Sequence, residues 1–331
     1  MRIEALLKGI KKTELLAPKA SEPYELWASE RDKTLTTPPL KAPAPTPPTQ
    51  ARPRRLSVTR IEDWIANPYS IYARYILRLT PLDPIASPPS ASMKGQIIHT
   101  AMEVFAKQHP VDLPKNIAPK LEDIARTLLN QLDQHPQISA FWQPRFARFA
   151  AWFAETEPKR RETVKTVWSE QTGTQTYELP SGKFTLTARA DRIDEQDDGS
   201  YHIYDYKTGA APSLREVKSL FKPQLPLEAA IITRGGFENL AKGPVNALSY
   251  IEAKGADPAG KTLTLQGSEV QMAIEQAEAE LQALIEAFAQ ESTPYKALRR
   301  KDFKGHYHYD DYAHLARVDE WGQGDQEGAT K

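Results

Sequence analysis

The stretch from Phe184 to Lys207 constrains this chain more than any other. Phe184-Thr185-Leu186-Thr187-Ala188-Arg189-Ala190 alternates apolar and polar residues, and Tyr201-His202-Ile203-Tyr204-Asp205-Tyr206 alternates again. Between them Asp197-Asp198-Gly199 supplies a turn. Two alternating runs around an Asp-Gly turn are the signature of a β-hairpin. Asp191 closes the first run and Asp205 lies near the end of the second. In a hairpin those ends point opposite ways along the sheet, so a bend near Asp191 is needed if the two carboxylates are to meet. Lys207 follows two positions after Asp205, which puts both on one strand face.

Two carboxylates and a lysine on one sheet face suit phosphodiester hydrolysis. Mg²⁺ takes hard oxygen ligands and is usually held by one or two carboxylates plus substrate phosphate. Such a metal lowers the pKa of bound water and neutralises charge developing at phosphorus. A neighbouring ammonium can orient the nucleophile or stabilise that charge. Taken alone, an Asp-x-Lys on a strand is more often a solvated ion pair, and Asp191-Arg192-Ile193-Asp194 alone reads equally well as a surface turn.

The flanking pattern is helical on both sides. Thr59-Arg60-Ile61-Glu62 has the form of a capping box, with Ile61, Trp64 and Ile65 recurring behind it. Asn67-Pro68 interrupts that helix, and Tyr69 to Leu79 resumes it. Lys94 to Gln108 predicts a helix with Ile97, Ile98, Ala101, Met102 and Phe105 on its buried face. Two more are expected over 117–134 and 143–161. Strand composition begins at Thr163, in two pieces, 163–170 and 174–179. After the hairpin come a helix over 223–234 with Pro223 in its first turn, a strand over Val245–Glu252, and a long amphipathic helix over Gly267–Gln290. The order predicts an α+β or mixed α/β domain with a central mixed sheet flanked by helices.

Composition narrows the function further. The 331 residues carry 43 Lys+Arg and 43 Asp+Glu, so any attraction for nucleic acid must come from a local basic stripe. There is no cysteine, which removes disulfides and Cys-ligated zinc or iron–sulfur clusters. No apolar run approaches the ~20 residues of a membrane-spanning helix, and the expected location is cytoplasmic. Proline crowds the stretch from Thr37 to Pro53, which reads as an extended linker over 37–55. Residues 1–36 before it read as a short remnant, 56–295 as the main domain, and 296–331 as an extension ending in a disordered tail.

Five ordered segments bring in a resemblance. Ser57-x-Thr59, Asn67-Pro68-Tyr69, Gly95-x-x-x-His99, Ala190-Asp191-Arg192-Ile193-Asp194 with Asp205-Tyr206-Lys207-Thr208-Gly209, and Gln224-Leu225-Pro226-Leu227-Glu228 resemble the RecB-like group of PD-(D/E)XK nucleases. Within that group the AddB-type nucleases of double-strand break repair are the nearest in pattern. Asp311-Tyr312-x-His314-Leu315-Ala316-Arg317-Val318 is similar to the tail of such proteins. The resemblance implies a restriction-endonuclease-like core with an added N-terminal helical region. It implies Asp191, Asp205, the Tyr206 carbonyl and His99 as ligands of Mg²⁺, with Mn²⁺ as a substitute. Lys207 would be the catalytic lysine and Gln224 a contact to the site or the DNA. Glu103, one turn after His99, could orient the imidazole or be a solvated charge. Glu170 is a weaker candidate acid near the metal, and the role of Glu228 stays open.

The resemblance also implies DNA, at ends or as single strands, as substrate and an AddA-type helicase–nuclease as partner. The rivals are a stand-alone RecB-like exonuclease and an inactive DNA-guiding scaffold. Many AddB-type nucleases hold an iron–sulfur cluster through four cysteines, one of them before a proline in the early helix; here that place is Asn67. Packing among Trp64, Tyr69, Tyr72 and Tyr75 would have to substitute. The helicase-like region and any phosphate-binding loop are missing from the sequence too, so the chain is expected to lack its own motor. DNA contacts are expected from Arg52, Arg54 and Arg55, and from Arg299, Arg300, Lys301 and Lys304, with Tyr307 and Tyr309 stacking on bases. Ordinary solvated charge runs explain each basic cluster equally well.

Overall fold

The computed structural model of the chain describes residues 24–33, 41–82, 91–130, 136–219, 221–298 and 310–321, together with Gly9 and Lys301. The chain divides into two compact units, Ala42–Gln323 and a second made of Met1–Lys41 with Gly324–Lys331. In the second unit the described element is a short helix, α1 (Tyr24–Arg31). The tail after Trp321 lies outside the described residues.

The larger unit has a six-stranded mixed sheet with helices on both faces. Its strands are β1 (Arg55–Ser57), β2 (Val164–Leu179), β3 (Gly182–Gln196), β4 (Tyr201–Lys207), β5 (Val245–Glu252) and β6 (Lys261–Gln266). β2 pairs antiparallel along nearly the whole of β3. The opposite edge of β3 is shared. β1 runs parallel to Thr185–Thr187, and β4 runs antiparallel to Arg192–Glu195. Ala188 to Asp191 therefore lie in the gap between two ladders. β5 adds parallel to β4, and β6 closes the sheet antiparallel to β5.

The helices in chain order are α2 (Val58–Ala66), α3 (Pro68–Ile71) running into a π turn, α4 (Ala91–Gln108), α5 (Ile117–Asn130), α6 (Pro136–Arg160), α7 (Leu214–Lys218), α8 (Gln224–Thr233), α9 (Ser268–Ala289) and α10 (Val318–Trp321). α2, α8 and α9 bury Ile61, Leu227 and Ile274 against Leu186, Ile193, Ile203 and Leu248 of the sheet. α4, α5 and α6 bury Met102, Leu121 and Phe149 with Tyr204, Tyr206 and Ile251 on the other face.

Local chemistry sets several boundaries. The α2 cap is Ser57, whose hydroxyl accepts from Arg60 N at 3.4 Å, and Thr59 instead bonds the Ser57 hydroxyl at 2.9 Å. Glu62 does not complete a box on its own helix. Its carboxylate accepts from Gln224 N at 3.3 Å, capping α8, and pairs with Lys222 at 3.1 Å. An acid at a helix N-terminus is stabilising for the same reason in either position. Pro223 is the N-cap of α8 rather than its first residue.

The two strand pieces expected before the hairpin are one strand. Gly173 interrupts the composition because a Cβ there would come within 2.9 Å of Phe237. From Ala42 the Pro-rich stretch is part of the compact unit: Pro45 O accepts from Tyr295 N and Pro43 O from Ala297 N, both at 2.8 Å. Proline lacks a donor, but its carbonyl still accepts, so an extended Pro-rich segment can pair through its acceptors alone.

A buried ionic cluster ties α6 to the sheet. Arg192 grips Asp194 through Nε at 2.6 Å and Nη2 at 2.7 Å, and reaches Glu157 of α6 through Nη1 at 2.8 Å. Arg160 and Arg161 supply further charge to Glu157. Beside this cluster the His202 ring sits between Ser249 Oγ at 2.8 Å and Tyr204 OH at 2.9 Å. Burial, together with the Arg192 and Arg160 charges, pushes its pKa down to about 3. A histidine held neutral in the fold but free to protonate when unfolded contributes stability above pH ~6.5 that is lost as pH falls toward 3. Chemical denaturation at pH 5 should therefore show wild type losing on the order of 2 kcal/mol relative to pH 7 from this group alone. His202→Gln should flatten that part of the profile, and an unchanged slope would remove His202 as its source.

Candidate active site

β3 does not end at Ala190. It runs on through Asp191 to Gln196, and the β3–β4 register of Arg192 with Tyr204 makes Asp191 and Asp205 the next facing positions. The hairpin thus places the carboxylates at one level instead of at opposite ends. A local irregularity is nevertheless present. Phe184, Leu186, Ala188 and Ala190 point into the α8–α9 core, and so does Ile193. The alternation changes phase between 190 and 193, in the gap between the ladders. β2 changes with it at Glu170, which faces Asp191 in register and holds φ +52. A non-glycine residue in that left-handed region is uncommon and costs about 1–3 kcal/mol. Beyond Arg192 the two strands part, and the Tyr206 N–H donates to Asp191 Oδ2 at 2.9 Å rather than to β3 backbone.

Asp191 gathers one group of ligand atoms. His99, on α4, sits with Nδ1 3.2 Å from Asp191 Oδ2. Nitrogen or oxygen atoms of His99, Glu170 and Asp191 all lie within 4.8 Å of one another. They open into a cleft of about 460 Å³ with Gly95, Gln96, Thr100, Glu103 and Arg189. Burial opposes a charge on the imidazole, but the Asp191 contact outweighs it and holds the His99 pKa above the ordinary value. Burial and then the Asp191 charge push Glu170 up, while Arg189 pairs with its carboxylate. Hard oxygens and an imidazole converging on one cleft are a donor set that fits a small divalent cation.

Asp205 anchors the adjoining group. It is 3% exposed. Lys207 Nζ lies 2.9 Å from its Oδ2 and 3.1 Å from its Oδ1, and Gln224 Nε2 donates to Oδ1 at 2.8 Å. Burial, only partly offset by Lys207, and the nearby Asp191 push the Asp205 carboxyl up to about 6. Burial works against the Lys207 ammonium, but Asp205 wins and holds it above the ordinary lysine value. Gln224 bridges onward to Glu228 Oε1 at 3.2 Å. Glu228 is buried with Oε2 unpartnered, and burial followed by the Asp205 and Asp191 charges raises its pKa far above the ordinary value.

His99, Asp191, Asp205, Lys207, Gln224 and the Tyr206 backbone are thus brought to one end of the sheet. The atoms within 4.8 Å of one another are those of His99, Glu170 and Asp191; Asp205 stands outside that set, held by Lys207 and Gln224. Glu170, the weaker candidate, brings a carboxylate oxygen within 4.8 Å of ligand atoms of His99 and Asp191. Glu103 pairs with Lys107 at 2.6 Å, and Asp191 is what the His99 ring contacts. Gly95 is not forced by crowding, since a Cβ there would meet Thr208 Oγ1 at an ordinary 3.8 Å.

The flanking candidates fare differently. Arg52 is no DNA contact: it is 5% exposed and donates to the carbonyls of Pro47, Phe288, Gln290 and Glu291 at 2.8 to 3.0 Å. A cation at the C-terminus of α9 complements its free carbonyls. Arg54 and Arg55 are exposed, as is Lys301. Arg299, Arg300, Lys304, Tyr307 and Tyr309 lie outside the described residues. Asn67 donates to Asp310 Oδ2 at 2.8 Å and accepts from Leu298 N at 3.2 Å, so it ties α3 to the C-terminal segment. Trp64 packs on Phe184 and Phe288, and Tyr69 and Tyr72 pack together beside Tyr295.

The sequence pattern of the PD-(D/E)XK nuclease superfamily matches residues 55–306. The chain belongs to that superfamily. Its members are mostly metal-dependent nucleases, and the mixed sheet flanked by helices is the fold expected of one. An uncharacterized protein of Rickettsia felis is 31% identical over 214 residues, covering 62% of this chain and 25% of that protein. A second, from Rickettsia conorii, is 30% identical over 189 residues, covering 56% of this chain and 23% of that protein. The chain thus spans about a quarter of the length of the curated relatives it matches. A solved structure described as that of SSO0001 is 14% identical with a TM-score of 0.24, covering 61% of this chain and 90% of that one. Among the described residues no helix is long and apolar enough to cross a membrane.

Proposed function

We propose that this nuclease-superfamily chain is a Mg²⁺-dependent deoxyribonuclease of the RecB-like type, acting exonucleolytically on DNA ends or single strands. The observation that carries the reading is the placement of Asp191 and Asp205 at facing positions where β3 and β4 part, Asp191 with His99 and Glu170 and Asp205 with Lys207 and Gln224. His99, Asp191, Asp205 and the Tyr206 carbonyl would hold the metal, with Glu170 as an added acid and Mn²⁺ as a substitute ion. When bound, Mg²⁺ supplies charge neutralisation at the scissile phosphate and a more acidic water.

The chain's own groups account for the rest. Lys207 stays charged and stands beside Asp205, where its ammonium can orient a water and offset charge growing on the phosphoryl oxygens. Gln224 fixes Asp205 from the opposite side. Water oxygen bonds to phosphorus as the P–O3′ bond breaks, the 3′ oxygen takes a proton, and the products are a 5′-phosphate and a 3′-hydroxyl. The RecB-like motif order favours a cytoplasmic role as the nuclease of an AddAB-type double-strand break repair complex, with an AddA-type helicase–nuclease as partner. Digestion of linear and covalently closed circular DNA, each with Mg²⁺ and with EDTA, tests the reading. Linear DNA should be degraded only with Mg²⁺ and closed circles spared. Metal-independent digestion, or no digestion of any DNA, would overturn it.

A further inference from the structure

We propose that Glu228 is a positioning residue that aims the Gln224 carboxamide at Asp205. This rests on the nuclease reading of the site and deepens it by naming what holds one of its groups. Both residues lie on α8, and every residue of that helix from Gln224 to Ile232 is buried. Apart from these two, the stretch is leucine, isoleucine, alanine and proline. A helix apolar on all sides belongs to the core. Two polar side chains one turn apart on such a helix share a face, and here that face meets the site. Burying a carboxyl group is costly unless its oxygens are satisfied. Glu228 is 1% exposed, and among the described residues its Oε2 has no hydrogen-bond partner. The bond it does make, through Oε1, is with Gln224 Nε2 at 3.2 Å. The core thus carries a half-satisfied acid that serves a residue of the site.

The geometry shows what that bond does. A carboxamide offers two N–H donors and one carbonyl oxygen. Gln224 Nε2 donates to Asp205 Oδ1 at 2.8 Å and to Glu228 Oε1 at 3.2 Å, and Gln224 Oε1 accepts from Lys207 Nζ at 3.4 Å. Asp205 and Lys207 decide which end faces which, because the reverse would set oxygen on carboxylate and NH₂ on ammonium. They leave the plane of the group free to swing, since the last torsion of a glutamine is broad and roughly two-fold. Glu228 narrows that swing by taking the second N–H. The backbone is held separately, by the bond from Gln224 N to Glu62 Oε1 at 3.3 Å. Glu228 therefore acts on Asp205 through Gln224. Removing a partner that orients a metal-holding carboxylate typically costs about 10–100-fold in metal affinity or activity. Glu228 stands one bond further out, so the low end of that range is expected.

Glu228→Met and Glu228→Gln, in the full chain, test this with three readouts. The first is turnover of single-stranded DNA at saturating Mg²⁺. Glu228→Met removes the acceptor and should lower kcat about tenfold with KM unchanged; Glu228→Gln restores an acceptor oxygen and should recover most of the loss. The second is stability. Glu228→Met removes an unsatisfied buried oxygen, so its urea midpoint should equal or exceed that of wild type, whereas loss of a merely structural residue would lower it. The third needs no activity. The Gln224 carboxamide protons are followed by NMR in EDTA, with glutamine side chains labelled with ¹⁵N and the signals assigned by their loss in Gln224→Leu. Glu228→Met should move one proton signal upfield, toward that of a free carboxamide, and leave the other on Asp205; Glu228→Gln should keep both. Wild-type turnover in Glu228→Met, unmoved carboxamide signals, or Glu228→Gln falling as far as Glu228→Met would each overturn the proposal. So would a urea midpoint that falls along with turnover. The upfield shift in a chain that digests no DNA would uphold the Glu228 contact and count against the nuclease reading alone.

Discussion

Lys207→Ala is expected to lower Mg²⁺-dependent DNA hydrolysis by about 10²–10³-fold, the usual cost of removing one preorganised charge-stabilising group. The fold should survive, because Lys207 is at the strand end and a third of its side chain reaches solvent. Its loss acts twice. The ammonium that would face the reacting phosphate disappears, and Asp205 loses the cation that holds its carboxyl down. Asp205 already sits at about 6 with Lys207 in place. Without it the carboxyl rises further, so the residual activity should show an acid limb displaced to higher pH. Lys207→Arg keeps the charge but not the compact ammonium, and should recover the pH profile more fully than the rate. A turnover within tenfold of wild type for Lys207→Ala would remove it from the reaction.

Arg192→Ala is expected to destabilise the larger unit by about 3–5 kcal/mol, because it leaves Asp194 buried without its cation and takes one of three arginines from Glu157. Both carboxylates are fully inside, and Arg192 grips Asp194 through two nitrogens while also reaching Glu157. The melting temperature should fall by roughly 10 °C or more. Removing the Arg192–Asp194 pair together, as Arg192→Met and Asp194→Leu, leaves Glu157 on Arg160 and Arg161 and should recover much of that loss, since desolvating the charges is itself expensive. A urea midpoint for Arg192→Ala equivalent to a loss below about 1 kcal/mol would show that water reaches the cluster.

The same cluster explains what the sequence could and could not reveal. The order of Asp191, Asp205, Lys207 and Gln224 was legible through the family resemblance, and the fold brings Lys207 and Gln224 onto Asp205. The strand through Asp191 was not. Arg192 and Asp194 are charged but buried, so the polar–apolar alternation that marks β3 up to Ala190 vanishes where the strand continues. Ending the strand at 190 then set the two carboxylates at opposite ends of the hairpin, when the register makes them neighbours. The position of Glu170 beside His99 and Asp191 was hidden for a related reason: its backbone takes φ +52, and no residue type at 170 signals it. Arg52 read as a free surface cation because the carbonyls it serves, Phe288 to Glu291, are distant in sequence. The three-residue β1 is too short to leave a pattern at all.

Digestion of linear DNA by Asp191→Asn, set beside wild type in Mg²⁺ and in EDTA, bears most directly on the central claim. Asn keeps the shape that receives the Tyr206 N–H but removes the charge that faces His99 and would hold a cation. Wild type should degrade DNA in Mg²⁺ and stop in EDTA, while folded Asp191→Asn should match the EDTA baseline under both conditions. Equal degradation by wild type and Asp191→Asn in Mg²⁺ would contradict a hydrolytic centre at the β3–β4 gap.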